Sequence, residues 1–306
     1  MSSRPGRAKL PEPAARRMND AVYKYGNERI DRMGILYVVP TPIGNLEDIT
    51  LRALRILREA SLIAAEDTRT SRVLTRHFDI STPMTSYHEH NRLSKLDQIL
   101  SALATGDVAL ISDAGTPGIS DPGSELIREA IARGYDVVPL PGASAVTAAL
   151  VGSGMMMDRF LFLGFLPRKA SALKALLSQL ASETGTIIAY ESPYRLTVSL
   201  RAIGEVLGGE REVCVAREIS KKFEQFYRGS AREACAYFLR ENPRGEVTLL
   251  IAGAPPTESR WPDGQVILAL NERISAGESL SAAAKAIAKE AGWSKSDVYQ
   301  LGIKKD

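Results

Sequence analysis

The run VALISDAGTPGISDPG, Val108 to Gly123, decides the fold. Its first four residues are apolar without alternation, the pattern of a strand covered on both faces. The twelve that follow, residues 112–123, hold three Gly, two Pro and two Asp. That is far richer than a connecting turn needs. Such a loop presents backbone N–H and C=O groups to a ligand, and Asp113 adds a carboxylate suited to a sulfonium or an amino group. In open parallel sheets ligands bind beyond the carboxyl ends of the strands, so the segment reads as a strand followed by a ligand loop.

Outward from this run the unit repeats. Residues 35–39 (ILYVV), 62–65 and 137–140 read as further buried strands. Ile49, Leu51, Leu54, Ile56 and Leu57 recur at helical spacing with Arg52, Arg55 and Arg58 on the other side. Helices are expected over 71–77, 93–103, 125–132 and 145–151. Strands alternating with helices argue for a parallel sheet covered on both faces. After Gly154 and the Met155–Met157 run, read as gap-filling core or a hinge, a second α/β set begins. It comprises strands 160–166, 186–190, 213–217 and 247–252, with 223–227 as a short antiparallel partner, and helices 173–180, 196–206 and 232–239. Pro255, Pro256 and Pro262 mark a linker. Helices 266–274, 281–290 and 294–301 follow, with a turn at Gly292 and a capping box at Ser294 and Asp297; this is a helix-turn-helix shape, which either reads nucleic acid or packs. The expected division is 1–33 as a disordered basic tail, 34–152 and 153–255 as α/β domains, and 256–306 as the helical segment.

The net charge of +3 is too small for a whole-chain nucleic-acid signature. Residues 1–33 hold eight Lys/Arg and four Asp/Glu, while 256–306 holds seven of each sign. The tail therefore suits RNA phosphates or simple solvation, and charge gives the helical segment no bias toward RNA. No apolar run is long enough to span a membrane. The two cysteines, Cys214 and Cys235, lack metal-ligand spacing and read as buried reduced thiols of a cytosolic protein.

Three further loops follow strands. VVPTPIGNLEDIT (38–50) contains Gly44, which permits close backbone approach, and Asp48 and Thr50, which fall where a helix begins. It is not GxGxxG and does not indicate a dinucleotide. AEDTRTS (65–71) carries Glu66, Asp67 and Arg69, which read either as site residues or as a salt-bridged turn. PGASA (141–145) has small residues that either admit an adenine face or allow close helix packing. His88 and His90 lie two apart without a third ligand, so no metal is expected. His77 ends a helix, where the dipole accounts for it.

Taken together, these runs resemble the tetrapyrrole-methylase-like superfamily of class III S-adenosylmethionine methyltransferases. More narrowly, the chain is similar to the small-subunit ribosomal RNA cytidine-2′-O-methyltransferase family. The narrower resemblance rests on VVPTPIGNLEDIT, AEDTRTS, YHEHN (87–91), SDAGTPGISDPG, PGASA, GFLP (164–167), YESPYR (190–195), AREISKKFE (216–224) and GEVTLLIAG (245–253), in family order. The helical tail resembles the family's C-terminal helix-turn-helix; the first 33 residues are not covered. Porphyrinogen C-methylases of this fold usually carry GxGxGD in the first loop, where Pro40 and Pro42 stand here, and GDPxxF where this chain has SDAGTPG. Both departures point away from a tetrapyrrole substrate.

The resemblance implies a parallel N-terminal sheet and a mixed second sheet with S-adenosylmethionine held between the domains. It also implies a cytoplasmic homodimer and a cytidine ribose of the decoding region of 16S rRNA, in the small ribosomal subunit, as target. Asp113 is the first candidate for a carboxylate near the reacting centre and Glu191 the second, with pairing to Arg195 as its alternative. Expected cofactor contacts are Pro42, Gly44, Asp113, Gly115, Thr116, Gly118, Ser144, Ala145, Tyr190 and Thr248. Arg195, Arg217, Lys221 and Lys222 are expected at RNA phosphates, and His88, His90 and Asn91 at RNA or a dimer contact. A small-molecule C-methyltransferase and a non-catalytic RNA-binding regulator are the competing readings.

Overall fold

The computed structural model describes residues 33–88, 91–255 and 261–303. The basic tail, His90 and Pro256 lie outside these. The chain forms two compact units. Unit 1 runs to Ala149 and also includes Arg217–Gln225; unit 2 holds Leu150–Ala216 and the residues from Phe226 onward.

Unit 1 is built on strands β1 (Ile35–Val38), β2 (Leu62–Ala65), β3 (Met84–Ser86), β4 (Val108–Ile111) and β5 (Asp136–Pro139), in the order β3-β2-β4-β1-β5. Every pairing is parallel. Helices α1 (Leu51–Glu59), α2 (Thr68–His77), α3 (Arg92–Leu103) and α4 (Ser124–Ala132) connect the strands, and α5 (Ala145–Ser153) follows β5. The apolar runs have the expected consequence. Side chains alternate across a strand, so Ala109 and Ile111 enter one core with Ile56, Leu57 and Leu74 of α1 and α2. Val108 and Leu110 enter another with Ile99, Leu103 and Leu126 of α3 and α4. All four residues of β4 are buried.

The helix starts are encoded locally. Thr50 caps α1 by accepting from Ala53 N at 3.1 Å, and Asp67 caps α2 by accepting from Arg69 N at 2.8 Å. Two expectations needed correction. Leu51 is not on the buried face of α1: it stands 86% exposed, and Ala53, Ile56 and Leu57 make the buried stripe. Strand β3 was not foreseen.

Unit 2 holds β6 (Phe160–Phe165), β7 (Thr186–Glu191), β8 (Glu212–Arg217), β9 (Gln225–Ser230) and β10 (Val247–Ile251), ordered β6-β7-β10-β8-β9. The sheet is mixed: β6 runs parallel and β10 antiparallel to β7. Helices α6 (Ala170–Gln179), α7 (Leu196–Val206) and α8 (Ala231–Glu241) pack on a core containing Leu177, Leu200, Ile203 and Phe238. Ser230 and Glu233 close a capping box at α8. The methionine run does not fill this core. Met156 and Met157 are exposed, between Gly154, in the left-handed region at φ 75°, and the edge strand β6.

Helices α9 (Asp263–Ser275), α10 (Leu280–Ala291) and α11 (Lys295–Ile303) form a bundle around Val266, Leu270, Ile287 and Val298. Gly292, at φ 68°, ends α10, and Ser294 accepts from Asp297 N at 3.1 Å at the start of α11. The Trp293 indole donates to the Trp261 carbonyl at 2.9 Å.

Candidate active site

The candidate site in unit 1 grows from loops at the carboxyl ends of β1, β4, β2 and β5, and they are tied to one another. Thr41, after β1, and Gly115, after β4, exchange both backbone hydrogen bonds at 2.9 Å. The Thr41 hydroxyl donates to Ser112 O at 3.0 Å, and Thr116 Oγ1 donates to Ala143 O, after β5, at 3.3 Å. Gly115 and Gly118 sit at φ 80° and 84°, where a side chain is strained. A β-carbon on Gly142 would stand 2.7 Å from Pro40 Cβ, so the small residues of PGASA serve close loop packing. Ala145 begins α5, and Ser144 O accepts from Ala148 N at 3.1 Å.

Asp113 is locked into this arrangement through the loop after β2. Glu66 Oε2 accepts from Asp113 N at 3.2 Å, and Asp113 Oδ1 accepts from Asp67 N at 3.2 Å. Each carboxylate thus holds the other loop's backbone. Partial burial pushes both carboxyls above their ordinary values: for Asp113 desolvation leads and the Asp67 charge adds, and for Glu66 desolvation leads and the Asp113 and Asp67 charges add. Asp67 goes the other way, down to about 2, because the Arg69 guanidinium bonds to it at 2.7 Å. The salt-bridge reading of AEDTRTS therefore holds for Asp67 and Arg69, while Glu66 has a different task.

Asn91 accepts from His88 N at 2.9 Å and donates to Ser86 O and Oγ at 3.2 and 3.0 Å, which fixes the turn after β3. At the loop after β1, a β-carbon on Gly44 would overlap the stem of Lys221. The Ser220 hydroxyl donates to Asp48, and Lys221 pairs with Glu218 at 3.0 Å. Arg217 donates through Nε and Nη2 to Gln225 Oε1 at 3.2 and 3.0 Å. The structure therefore seats 217–225 against the first loop, which the sequence reading treated as separate motifs.

In unit 2 Glu191 has a fully buried side chain. It accepts from Ser199 Oγ and from Ser192 N at 2.7 Å, and it pairs with Arg195 at 3.3 Å. Arg195 reaches on to Pro167 O at 2.6 Å and Leu166 O at 3.4 Å. YESPYR is thus hydrogen-bonded to GFLP. Tyr190 packs its ring edge-on to Phe162 at 5.1 Å and pairs in register with Thr248, which is buried in β10. Among the described residues no group of three His, Cys, Asp or Glu is placed to hold a metal ion, and no helix is long and apolar enough to cross a membrane. Cys214 is buried and its thiol is pushed up to about 11 by desolvation.

Known proteins resemble this chain in sequence and in fold. Residues 35–235 match the family Tetrapyrrole (Corrin/Porphyrin) Methylases. The Ribosomal RNA small subunit methyltransferase I of Synechocystis sp. is 46% identical over 89% of this chain and 98% of its own. Its namesake from Pseudomonas aeruginosa is 45% identical over 89% and 98%, and that from Bacillus subtilis 42% over 87% and 93%. Among solved structures, cobalt precorrin-4 methyltransferase superposes with TM-score 0.56 at 16% identity, over 74% of this chain and 98% of that one. Uroporphyrin-III C-methyl transferase from Thermus thermophilus, complexed with S-adenyl homocysteine, superposes with TM-score 0.52 at 18% identity, over 72% and 97%. The family match over residues 35–235 and identities of 45–46% over nearly the whole length of these relatives place it: the chain belongs to the tetrapyrrole (corrin/porphyrin) methylase family and, within it, to the ribosomal RNA small subunit methyltransferase I group.

Proposed function

We propose that this methyltransferase modifies the 2′-hydroxyl of a cytidine ribose in 16S rRNA, acting as a cytoplasmic homodimer on the small ribosomal subunit. The observation that carries the reading is the 46% identity, over 89% of the chain, to a relative named for the small-subunit RNA. The cytidine ribose follows from the family motifs, SDAGTPGISDPG and VVPTPIGNLEDIT foremost.

The residues fit the donor. Backbone groups of Pro42, Gly44, Gly115, Thr116, Gly118, Ser144 and Ala145 would hold it, and Asp113 offers an anion to its cationic part. Bound S-adenosylmethionine supplies an electrophilic methyl group on sulfur. What the chain supplies is position and a proton acceptor. The paired bonds between Thr41 and Gly115 and the Glu66–Asp113 brace hold the loops without slack, and orientation of this kind accounts for about 7–11 kcal/mol of a bimolecular barrier. A ribose hydroxyl is a poor nucleophile and gains from a base. Asp113, whose carboxyl is raised by burial, is more basic than a solvated aspartate, which suits the task. Glu191, closed in by Ser199, Ser192 and Arg195, suits a supporting role instead.

The test is methyl transfer from labelled S-adenosylmethionine to small ribosomal subunits, with a porphyrinogen as the competing acceptor. Label is expected at one cytidine whose 3′ linkage resists alkaline cleavage. Label on a base, or on the porphyrinogen alone, would refute the reading. Asp113→Asn keeps an acceptor for Asp67 N; it should bind the donor more weakly, and at saturating donor single-turnover transfer should still fall by about 100-fold or more. Unchanged transfer would remove Asp113 from the mechanism.

A further inference from the structure

We propose that Phe223 is a nucleobase-stacking residue, presented to an unstacked base of the RNA substrate by the loop Arg217–Gln225. The inference rests on the RNA reading above and adds a contact that phosphate-binding lysines do not supply.

The loop is held in an unfavourable backbone. Glu218 and Ser220 have φ of 52° and 68°, the left-handed region that residues with side chains seldom occupy. Its own bonds maintain that shape: Lys221 N donates to Glu218 O at 3.0 Å, Glu224 N to Lys221 O at 3.1 Å and Ser220 N to Glu224 Oε2 at 2.7 Å. Two contacts seat it on the first loop of the candidate site, Ser220 on Asp48 and the Lys221 stem on Gly44. Strain that surrounding contacts overdetermine is typical of functional segments.

What this braced loop presents is Phe223, 66% exposed. Among the described residues of unit 1 it is the only exposed phenylalanine, tyrosine or tryptophan, since Tyr37, Phe78, Tyr87 and Tyr135 are buried or half-buried. Its neighbour Lys222 is exposed too and holds its ammonium 5.6 Å from the ring centroid. An aromatic face beside a cation, on a rigid loop next to the reacting centre, matches the chemistry of single-stranded RNA: the base stacks on the ring and the cation meets the adjacent phosphate. Stacking also explains how a nucleotide leaves its helix for the enzyme, since a base removed from its neighbours regains a stacking partner.

The experiment compares Phe223→Leu, which keeps apolar area without a π face, and Phe223→Trp with wild type, using small ribosomal subunits and labelled donor. Phe223→Leu is expected to raise the KM for subunits about tenfold or more, with donor affinity by calorimetry, kcat at saturation and solution mass unchanged; Phe223→Trp restores the wild-type KM. If Phe223→Leu has the wild-type KM, or if its loss coincides with a change in oligomeric mass, Phe223 is not a stacking residue. If wild type itself leaves subunits unlabelled, the underlying RNA reading fails instead, and this inference with it.

Discussion

Glu66 and Asp113 show how much a single pair of side chains decides at this site. Each accepts a backbone N–H from the other's loop, at 3.2 Å, and each is disfavoured as an ion by partial burial. A carboxyl raised by folding contributes its full stability below its unfolded pKa, 4.5 for Glu66, and that contribution is lost as pH rises through the higher folded value. Above that folded value the ionised Glu66 therefore weakens the fold while its oxygen still holds the loop. Glu66→Gln retains an acceptor without the charge. Its thermal midpoint should exceed that of wild type at pH 7 and converge with it below pH 4.5, as followed by circular dichroism. A variant less stable than wild type at pH 7 would show that the negative charge itself holds the brace.

At the scale of elements, the turn from β7 into α7 depends on Glu191. Glu191→Ala leaves the Ser199 hydroxyl and Ser192 N without this acceptor and the Arg195 guanidinium without its counter-ion. Breaking one side of such a pair costs about 3 kcal/mol, readable as a lower urea midpoint. Glu191→Gln, which keeps an acceptor oxygen, should lose less. What the sequence makes legible follows the same local logic. Strands 62–65 and 108–111 appear at their expected limits because continuous apolar runs admit few other placements. Strand β3 is three residues, MTS, without alternation, and exists because β2 offers an edge to pair with. Helix α2 begins at Thr68, three residues before the expected start at Ser71, because Asp67 caps it. The ligand loops stand out through their Gly and Pro content, but the bonds between them do not. Glu66 and Asp113 are 47 positions apart, and Asp48 and Ser220 are 172 apart; only the folded sheet brings such partners together.

Across the whole molecule, one spectroscopic accident is useful. Both tryptophans of the chain, Trp261 and Trp293, pack on the helical bundle. Tryptophan emission therefore reports on the bundle alone, while far-ultraviolet circular dichroism reports on all helices and both sheets. The bundle has its own apolar core, so the two probes should give urea transitions that do not coincide. Superimposable curves would mean that the bundle and the sheets unfold as one cooperative body.

Strand β1 lies between β4 and β5, and the residues that seat on its loop arrive with 217–225. On a translating ribosome ILYV thus emerges well ahead of both its neighbours. At about 5–20 residues per second, it waits for several seconds or more as an unpaired apolar segment. The first unit to be synthesised cannot be finished until residues 217–225 arrive, after the second has been started, and until β4 and β5 emerge the nascent chain carries an unpaired strand of the kind that holding chaperones cover.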